Sequence, residues 1–212
     1  MRTPLTAILG FARLLEQEPD IPEDDQRMMI GSIADHAQEM SDLIEDLLVA
    51  ARVELGQVQV VSEPHDVVAQ ITQLLASGGS FTRGVKFEPQ STEAVATCDP
   101  ARLRQVLRNL LTNAERYGGP NVAIFVDVEG DFVVVDVVDD GAGIPRRDWD
   151  RIFEPYQRAH DAPGQPDSVG VGLAISRQLA TLMGGSLDYR YSDRSVFRLR
   201  LPVARRVGTS DE

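Results

Sequence analysis

The chain has 212 residues, 42% of them hydrophobic and 25% charged, which suits a globular protein of one medium domain or a domain with an appendage. Its net charge of -12, from 33 acids and 21 bases of which Lys86 alone is a lysine, disfavours a nucleic-acid surface while leaving room for a small anion site with local positive potential. The single cysteine, Cys98, excludes an internal disulfide, and no apolar run approaches the about 20 residues of a membrane helix.

The opening MRTPLTAILG lacks the basic region and cleavage site of a signal peptide, so a cytoplasmic, soluble piece with no membrane contact is expected. Residues 1 to about 17 read as a helix with Pro4 near its start and Leu5, Ile8, Leu9, Ala12 and Leu15 on one face. EPDIPEDD breaks it. Residues 24 to about 54 read as a second, long helix with a heptad seam of Ile30, Ile33, Ala37, Met40, Ile44, Leu47 and Ala51. An antiparallel hairpin of two helices buries little alone, so the seam wants a partner. A second copy completing a four-helix bundle is expected, in preference to packing on the rest of the same chain.

After Gly56 strands mix with helices. QVQVV reads as a strand, HDVVAQITQLLAS as a helix, and VKFEP and AVATC as strands, with Cys98 a small hydrophobe at a strand end. DPARLRQVLRNLLTNAERYG is a helix with Asp99 as cap, Pro100 at its first position and Gly118 just past its end. NVAIFVDVEGDFVVVDVVDD is a hairpin turning at Glu129-Gly130. VGLAISRQLATLMG is a helix, and SLDYRY and SVFRLRLP are closing strands. The sum is an α+β sandwich, helices on one face of a mostly antiparallel sheet. The long irregular stretch from Gly141 to Val169 is of the kind that forms lids and binding loops.

Asn109 and Asn113 stand one turn apart on one helix face, where Asn is a poor helix former; two such amides could hold a hydrated cation, a water or a loop backbone. Arg116 could reach a phosphate and Tyr117 could stack on a ring, or they could be a solvated Arg and a plug at the sheet edge. In DDGAGIP, Asp139 at a strand end could accept a hydrogen bond from an exocyclic amino group. Gly141 and Gly143 let backbone approach a ligand or simply turn. Gly170 and Gly172 flank the first turn of a helix, whose free N–H groups favour phosphate. A Pro-rich loop, and no strand, precedes these glycines, so the dinucleotide fingerprint fails; no Gly-Lys-Ser/Thr occurs, so the P-loop fails too.

The order of Asn-bearing helix, strand, Asp and Gly turn, long loop and Gly-flanked helix start resembles the catalytic ATP-binding domain of sensor histidine kinases. These belong to the superfamily that includes gyrase, heat-shock chaperone and mismatch-repair ATPases. NLLTNAERYG resembles the N box, DDGAGIP the first glycine box, RIFEPYQR the phenylalanine box and GVGLAIS the second glycine box. RTPLTAILGFARLL resembles the end of the phosphoacceptor box, and MSDLIEDLLVAARVELG the second helix of the dimerisation hairpin. The resemblance implies a Bergerat-type α/β sandwich with a long ATP lid, preceded by a hairpin that dimerises as a four-helix bundle. The division would be a hairpin at 1–55, an ATP-binding domain at 56–206 and a tail at 207–212.

It further implies ATP and Mg²⁺ as cofactors, with transfer of the γ-phosphoryl to a histidine and then to an aspartate of a response-regulator receiver domain. Asp139 would bind the adenine amino group, and Asn113 with Asn109 in support would hold Mg²⁺. Arg116 and Tyr117 would contact phosphate and line the base pocket; Gly141, Gly143, Ile144, Gly170, Val171, Gly172 and Leu173 would hinge and cradle the lid. Phe153 would anchor the lid and Arg158 would meet the terminal phosphate.

Two departures stand out. Of the family's His-Glu-x-x-Thr-Pro only Arg2-Thr3-Pro4 is present, so the expected His would fall two residues before Met1, as in a truncated chain or one with a misplaced start. This chain is then not expected to phosphorylate itself on that histidine, and His36, His65 and His160 all lack the Thr-Pro context. Ser168 and Val169 also stand where the family often has Gly and Thr, which stiffens the exit of the lid. The alternatives are an ATP-hydrolysing clamp of the same superfamily or a non-catalytic dimerisation module. Asn109 argues against hydrolysis, since hydrolytic relatives carry there a Glu that takes a proton from water, which an amide cannot do.

Overall fold

A computed structural model describes residues 2–18, 20–54, 59–78, 80–82, 84–91, 93–155 and 170–204. Helices α1 (Arg2–Gln17) and α2 (Glu23–Glu54) form the hairpin. Glu23, Asp24 and Asp25 fill the first turn of α2, where carboxylates oppose the positive end of the helix dipole. Gln26 closes the connection by donating its Nε2–H to the Ile21 carbonyl at 2.9 Å. The rest of the chain leaves Leu5, Leu9, Leu14, Ile30, Ile44 and Leu48 roughly half exposed, two of them from the heptad seam. Val49 differs: it is buried in the same core as the sheet and joins the far end of α2 to the second unit.

That unit runs β1 (Glu63–Asp66), α3 (Val67–Ala76), β2 (Lys86–Pro89), β3 (Val95–Cys98), α4 (Pro100–Tyr117), β4 (Val122–Glu129), β5 (Phe132–Asp139), α5 (Gly172–Leu182), β6 (Ser186–Tyr191) and β7 (Ser195–Pro202). Its main sheet has the order β2-β4-β5-β7-β6, antiparallel except for the β2–β4 pair; β1 and β3 form a separate antiparallel ribbon. Strand β7 alternates as a half-buried strand does, whereas β5 at the sheet centre is buried on both faces, Val134 and Val138 included; Val133, Val135 and Val137 of β5 and Phe197, Leu199 and Leu201 of β7 face the helices. They meet Leu103, Leu107, Leu110 and Leu111 of α4 and Ile175 and Leu179 of α5 in one core. Each such side chain contributes about 1.5–3 kcal/mol on burial.

One expected strand is elsewhere. Residues 59–61 of QVQVV lie outside any strand, and 57 and 58 lie outside the described residues. The Val61 N–H is instead given to the Asp99 carboxylate at 3.2 Å, and the pairing with β3 is made by the polar segment Glu63–Asp66. Here tertiary pairing overrides local propensity. The helix expected from His65 therefore starts at Val67, where Asp66 caps it by accepting the Ala69 N–H at 3.1 Å. In the predicted irregular stretch, Arg146–Asp148 and Arg151–Phe153 form 3₁₀ turns, while 156–169 lie outside the described residues. Among the described residues no helix is long and apolar enough to cross a membrane.

Candidate functional site

Strand β5 is paired along its full length on both sides, and its last residue is Asp139, opposite Val122 of β4 and Ser195 of β7. Period-2 alternation turns Asp139 toward the helices, so a carboxylate stands where a valine would be expected, only 4% exposed. Its Oδ1 accepts the Gly141 N–H at 2.9 Å; no described residue donates to Oδ2. Two glycines crowd this group. A Cβ on Gly118 would lie 2.9 Å from the Asp139 carboxyl carbon, and one on Gly141 would lie 2.8 Å from Oδ1. The next residue, Asp140, is exposed and ties down the segment after α4. It accepts from the Asn121 backbone N–H at 3.0 Å and from Asn121 Nδ2 at 2.6 Å, bonds that hold its carboxyl below the usual range.

The loop beyond Asp140 is held by aromatic residues. Gly143 has φ +72, and a Cβ there would strike the ring of Tyr191, so both backbone and packing require glycine. Ile144 gives its N–H to the Tyr189 hydroxyl at 3.0 Å, and its carbonyl accepts the Trp149 indole N–H at 2.8 Å. Trp149 meets Tyr189 edge-on at 5.6 Å, and Tyr189 leans on Phe197 at 4.9 Å. Phe153 is buried between Phe197 at 6.5 Å and the guanidinium of Arg177, 4.1 Å above its ring. Arg177 is itself held by the Leu187 carbonyl and by Asp188.

Helices α4 and α5 meet across the third part of the site. Asn109 of α4 donates its Nδ2–H to Ser176 of α5 at 3.0 Å, a hydroxyl only 1% exposed. A Cβ on Gly172 would lie 2.5 Å from Asn109 Oδ1, so the helix start can approach α4 only because that residue has no side chain. Asn113, one turn further along α4, is half buried, and its amide has no partner among the described residues. Helix α5 has no side-chain cap, Gly170 ahead of it has φ +70, and Val171 is buried.

The sequence-predicted residues thus fall on three adjoining elements. Asn109, Asn113, Arg116 and Tyr117 lie on α4, the last of these exposed in its final turn. Asp139, Gly141, Gly143 and Ile144 follow the end of β5, and Gly170, Val171, Gly172 and Leu173 open α5. Only Gly143 and Gly170 have positive φ; Gly141 and Gly172 are needed for close approach. Arg158 lies outside the described residues. Sequence reasoning passed over Tyr189, Trp149, Ser176 and Ser195. The buried polar side chains among the described residues are Asp139, Ser176 and Ser195, all at this site. Among those residues no group of three or more His, Cys, Asp or Glu side chains is placed to hold a metal ion.

Comparison with known proteins identifies the family and the fold. The family model described as histidine kinase-, DNA gyrase B- and HSP90-like ATPase matches residues 98–205, and that of the His Kinase A phospho-acceptor domain matches residues 1–56. The circadian input-output histidine kinase CikA of Synechococcus elongatus is 32% identical over 89% of this chain, which covers 26% of that relative. The chain spans about a quarter of the length of the first curated relatives it matches. The solved structure of the Acinetobacter baumannii histidine kinase AdeS shares the fold, with TM-score 0.66 at 24% identity over 96% of this chain and 97% of that one. ShkA in complex with AMPPNP superposes with TM-score 0.63 at 25% identity, over 96% of this chain and 44% of that one. The chain belongs to the histidine kinase-, DNA gyrase B- and HSP90-like ATPase family and is the core of a sensor histidine kinase.

Proposed function

We propose that this core binds ATP with its adenine amino group on Asp139 and transfers the γ-phosphoryl to a histidine, from which it passes to an aspartate of a response-regulator receiver domain. The observation that carries the reading is the carboxylate itself. Asp139 stands 4% exposed at the mouth of the central strand, with Oδ1 fixed by Gly141, no donor to Oδ2 among the described residues, and Gly118 and Gly141 packed so closely that neither tolerates a side chain. No fully buried side-chain polar atom among the described residues lacks a partner, so the open Oδ2 is reachable from outside, and an acceptor held in that state favours a ligand that brings its own N–H donor. An exocyclic amine does so.

The donor set fits Mg²⁺. The bond from Asn109 Nδ2 to Ser176 orients that amide, and the Asn113 amide is without a partner among the described residues. Mg²⁺ takes few protein oxygens, completing its octahedron with phosphates and water. When bound it would neutralise phosphate charge. The chain's own residues would do the remaining work: Asn113 and Asn109 would hold the ion, the N–H groups of α5, which has no side-chain cap, would receive phosphate oxygens, and Arg116 would add positive charge. Asn109, an amide, stands where the hydrolytic relatives carry a Glu, so that position supplies no base for water. Leu5, Leu9, Ile30 and Ile44 support a homodimer through the hairpin, their exposed faces meeting a second copy.

His36, His65 and His160 lack the Thr-Pro context, so these 212 residues are not expected to label themselves on the family's histidine. Placing His-Glu before Met1 restores His-Glu-x-x-Thr-Pro and tests transfer directly. With γ-labelled Mg·ATP, acid-labile label is expected in the extended chain alone. Released phosphate without labelled protein would favour the hydrolytic clamp. Nucleotide binding with neither product would leave a non-catalytic dimerisation module.

A further inference from the structure

We propose that Tyr189 and Trp149 are positioning residues that preset the Gly141–Ile144 loop for the nucleotide by holding both backbone polar groups of Ile144. The Tyr189 hydroxyl accepts the Ile144 N–H at 3.0 Å, and the Trp149 indole donates to the Ile144 carbonyl at 2.8 Å. Neither ring is free to drift. Tyr189 is buried on the inner face of β6 against Phe197, and Trp149 is braced edge-on by Tyr189. The same hydroxyl is hydrogen-bonded at 3.1 Å to Ser195, which sits opposite Asp139 in the β5–β7 register. One phenol therefore connects the strand position beside the base-reading carboxylate to the loop that follows it.

The loop needs such a frame. It carries Gly141 and Gly143, and glycine loses more freedom on ordering than any other residue. A loop ordered before the ligand arrives does not take that loss out of the affinity. Gly143, pinned by its positive φ and by the Tyr191 ring, fixes the chain one residue earlier. The inference rests on the reading that this loop receives a nucleotide. It adds that the affinity depends on two residues outside the four family boxes as drawn from the sequence: Tyr189, in the strand after α5, and Trp149, the only tryptophan in the chain.

Tyr189→Phe tests this, since it keeps the ring in the core and removes only the hydroxyl. The probe is the Mg²⁺ complex of a non-hydrolysable ATP analogue, titrated calorimetrically against the whole chain. The expected result is a Kd about tenfold higher than the parent's, the size of one lost, well-placed hydrogen bond. Trp149 emission should also change in the nucleotide-free Tyr189→Phe chain, because the clamp on Ile144 has been loosened from the other side. Trp149→Phe should weaken binding by a similar factor. The double variant should fall well short of the product of the two, because both side chains act on one residue.

A Tyr189→Phe chain that melts at a lower temperature yet binds the analogue within about twofold of the parent overturns the proposal, and the hydroxyl then serves the core alone. Single effects that multiply in the double variant overturn the shared frame. A parent chain that binds no analogue overturns the nucleotide reading and this inference together, whereas a parent that binds while Tyr189→Phe binds equally well overturns only this one.

Discussion

Gly172→Ala sets two ordinary effects against each other. Backbone geometry permits alanine, since Gly172 is the first residue of α5 and has no positive φ. Helix propensity alone then predicts a gain of up to about 1 kcal/mol. The new methyl, however, would sit 2.5 Å from Asn109 Oδ1 and 2.6 Å from Nδ2. Asn109 cannot simply swing aside, because its Nδ2 is bonded to a Ser176 hydroxyl that is 1% exposed. Displacing it strains its rotamer by about 0.5–1.5 kcal/mol and strands Ser176 at about 1–3 kcal/mol. The clash should win, and Gly172→Ala should destabilise by about 1–2 kcal/mol once the propensity gain is deducted. Urea unfolding of the parent, both single variants and the double variant with Asn109→Ala measures this. The three atoms nearest the methyl all belong to the Asn109 side chain, so in the Asn109→Ala background Gly172→Ala should become neutral or stabilising, a coupling of about 1–3 kcal/mol. A Gly172→Ala chain at least as stable as the parent would refute the reasoning, as would an equal cost in both backgrounds.

Asp99 accepts from Ala101 N at 2.9 Å and Arg102 N at 3.2 Å while also holding Val61 N, so Asp99→Ala should cost about 1–2 kcal/mol in thermal unfolding and Asp99→Asn much less. Burial first, and the Asp99 carboxylate second, push the Cys98 thiol up to about 11. Cys98 should therefore resist alkylation at pH 8 until the chain unfolds. Because the folded value lies above the unfolded one, its stabilising contribution is complete below pH 9 and lost as pH rises toward 11, a loss that Cys98→Ala should lack. Asp140 has the opposite sign. Held low by the Asn121 side chain and then by its backbone N–H, it favours the fold at neutral pH and loses that contribution as pH falls below 3.8 through the folded value. Carbon-detected titration should find Asp140 low in the parent and higher in Asn121→Ala.

Much of this arrangement was legible in the residues. Helix α4 announced both ends through Asp99, Pro100 and Gly118, and DDGAGIP marked Asp139 as a carboxylate at a strand end. The near-continuous valines of FVVVDVVD did not say which face it takes; the structure turns it inward and leaves Asp136 outward, where Arg198 pairs with it at 2.6 Å. The ribbon strand Glu63–Asp66 was not legible, because a segment reading EPHD has no strand propensity and is paired only by β3. The supporting residues escaped notice for a related reason: Asn109 and Ser176 are 67 positions apart, and Ile144 and Tyr189 are 45 apart. A usable signal was nevertheless present. Ser195 falls in phase with Phe197, Leu199 and Leu201, and Ser176 lies on the α5 face of Ile175, Leu179 and Ala180. A hydroxyl in an otherwise apolar phase asks for a partner.

The most direct test is calorimetric titration of the parent chain and of Asp139→Asn with a non-hydrolysable ATP analogue and Mg²⁺. Asn keeps the size of Asp139 but puts an amide donor where the base should meet an acceptor. The account predicts saturable binding by the parent, abolished or weakened at least about a hundredfold in the variant. Equal binding by both would contradict the assignment of Asp139 to the base, and no binding by the parent would contradict the nucleotide site itself.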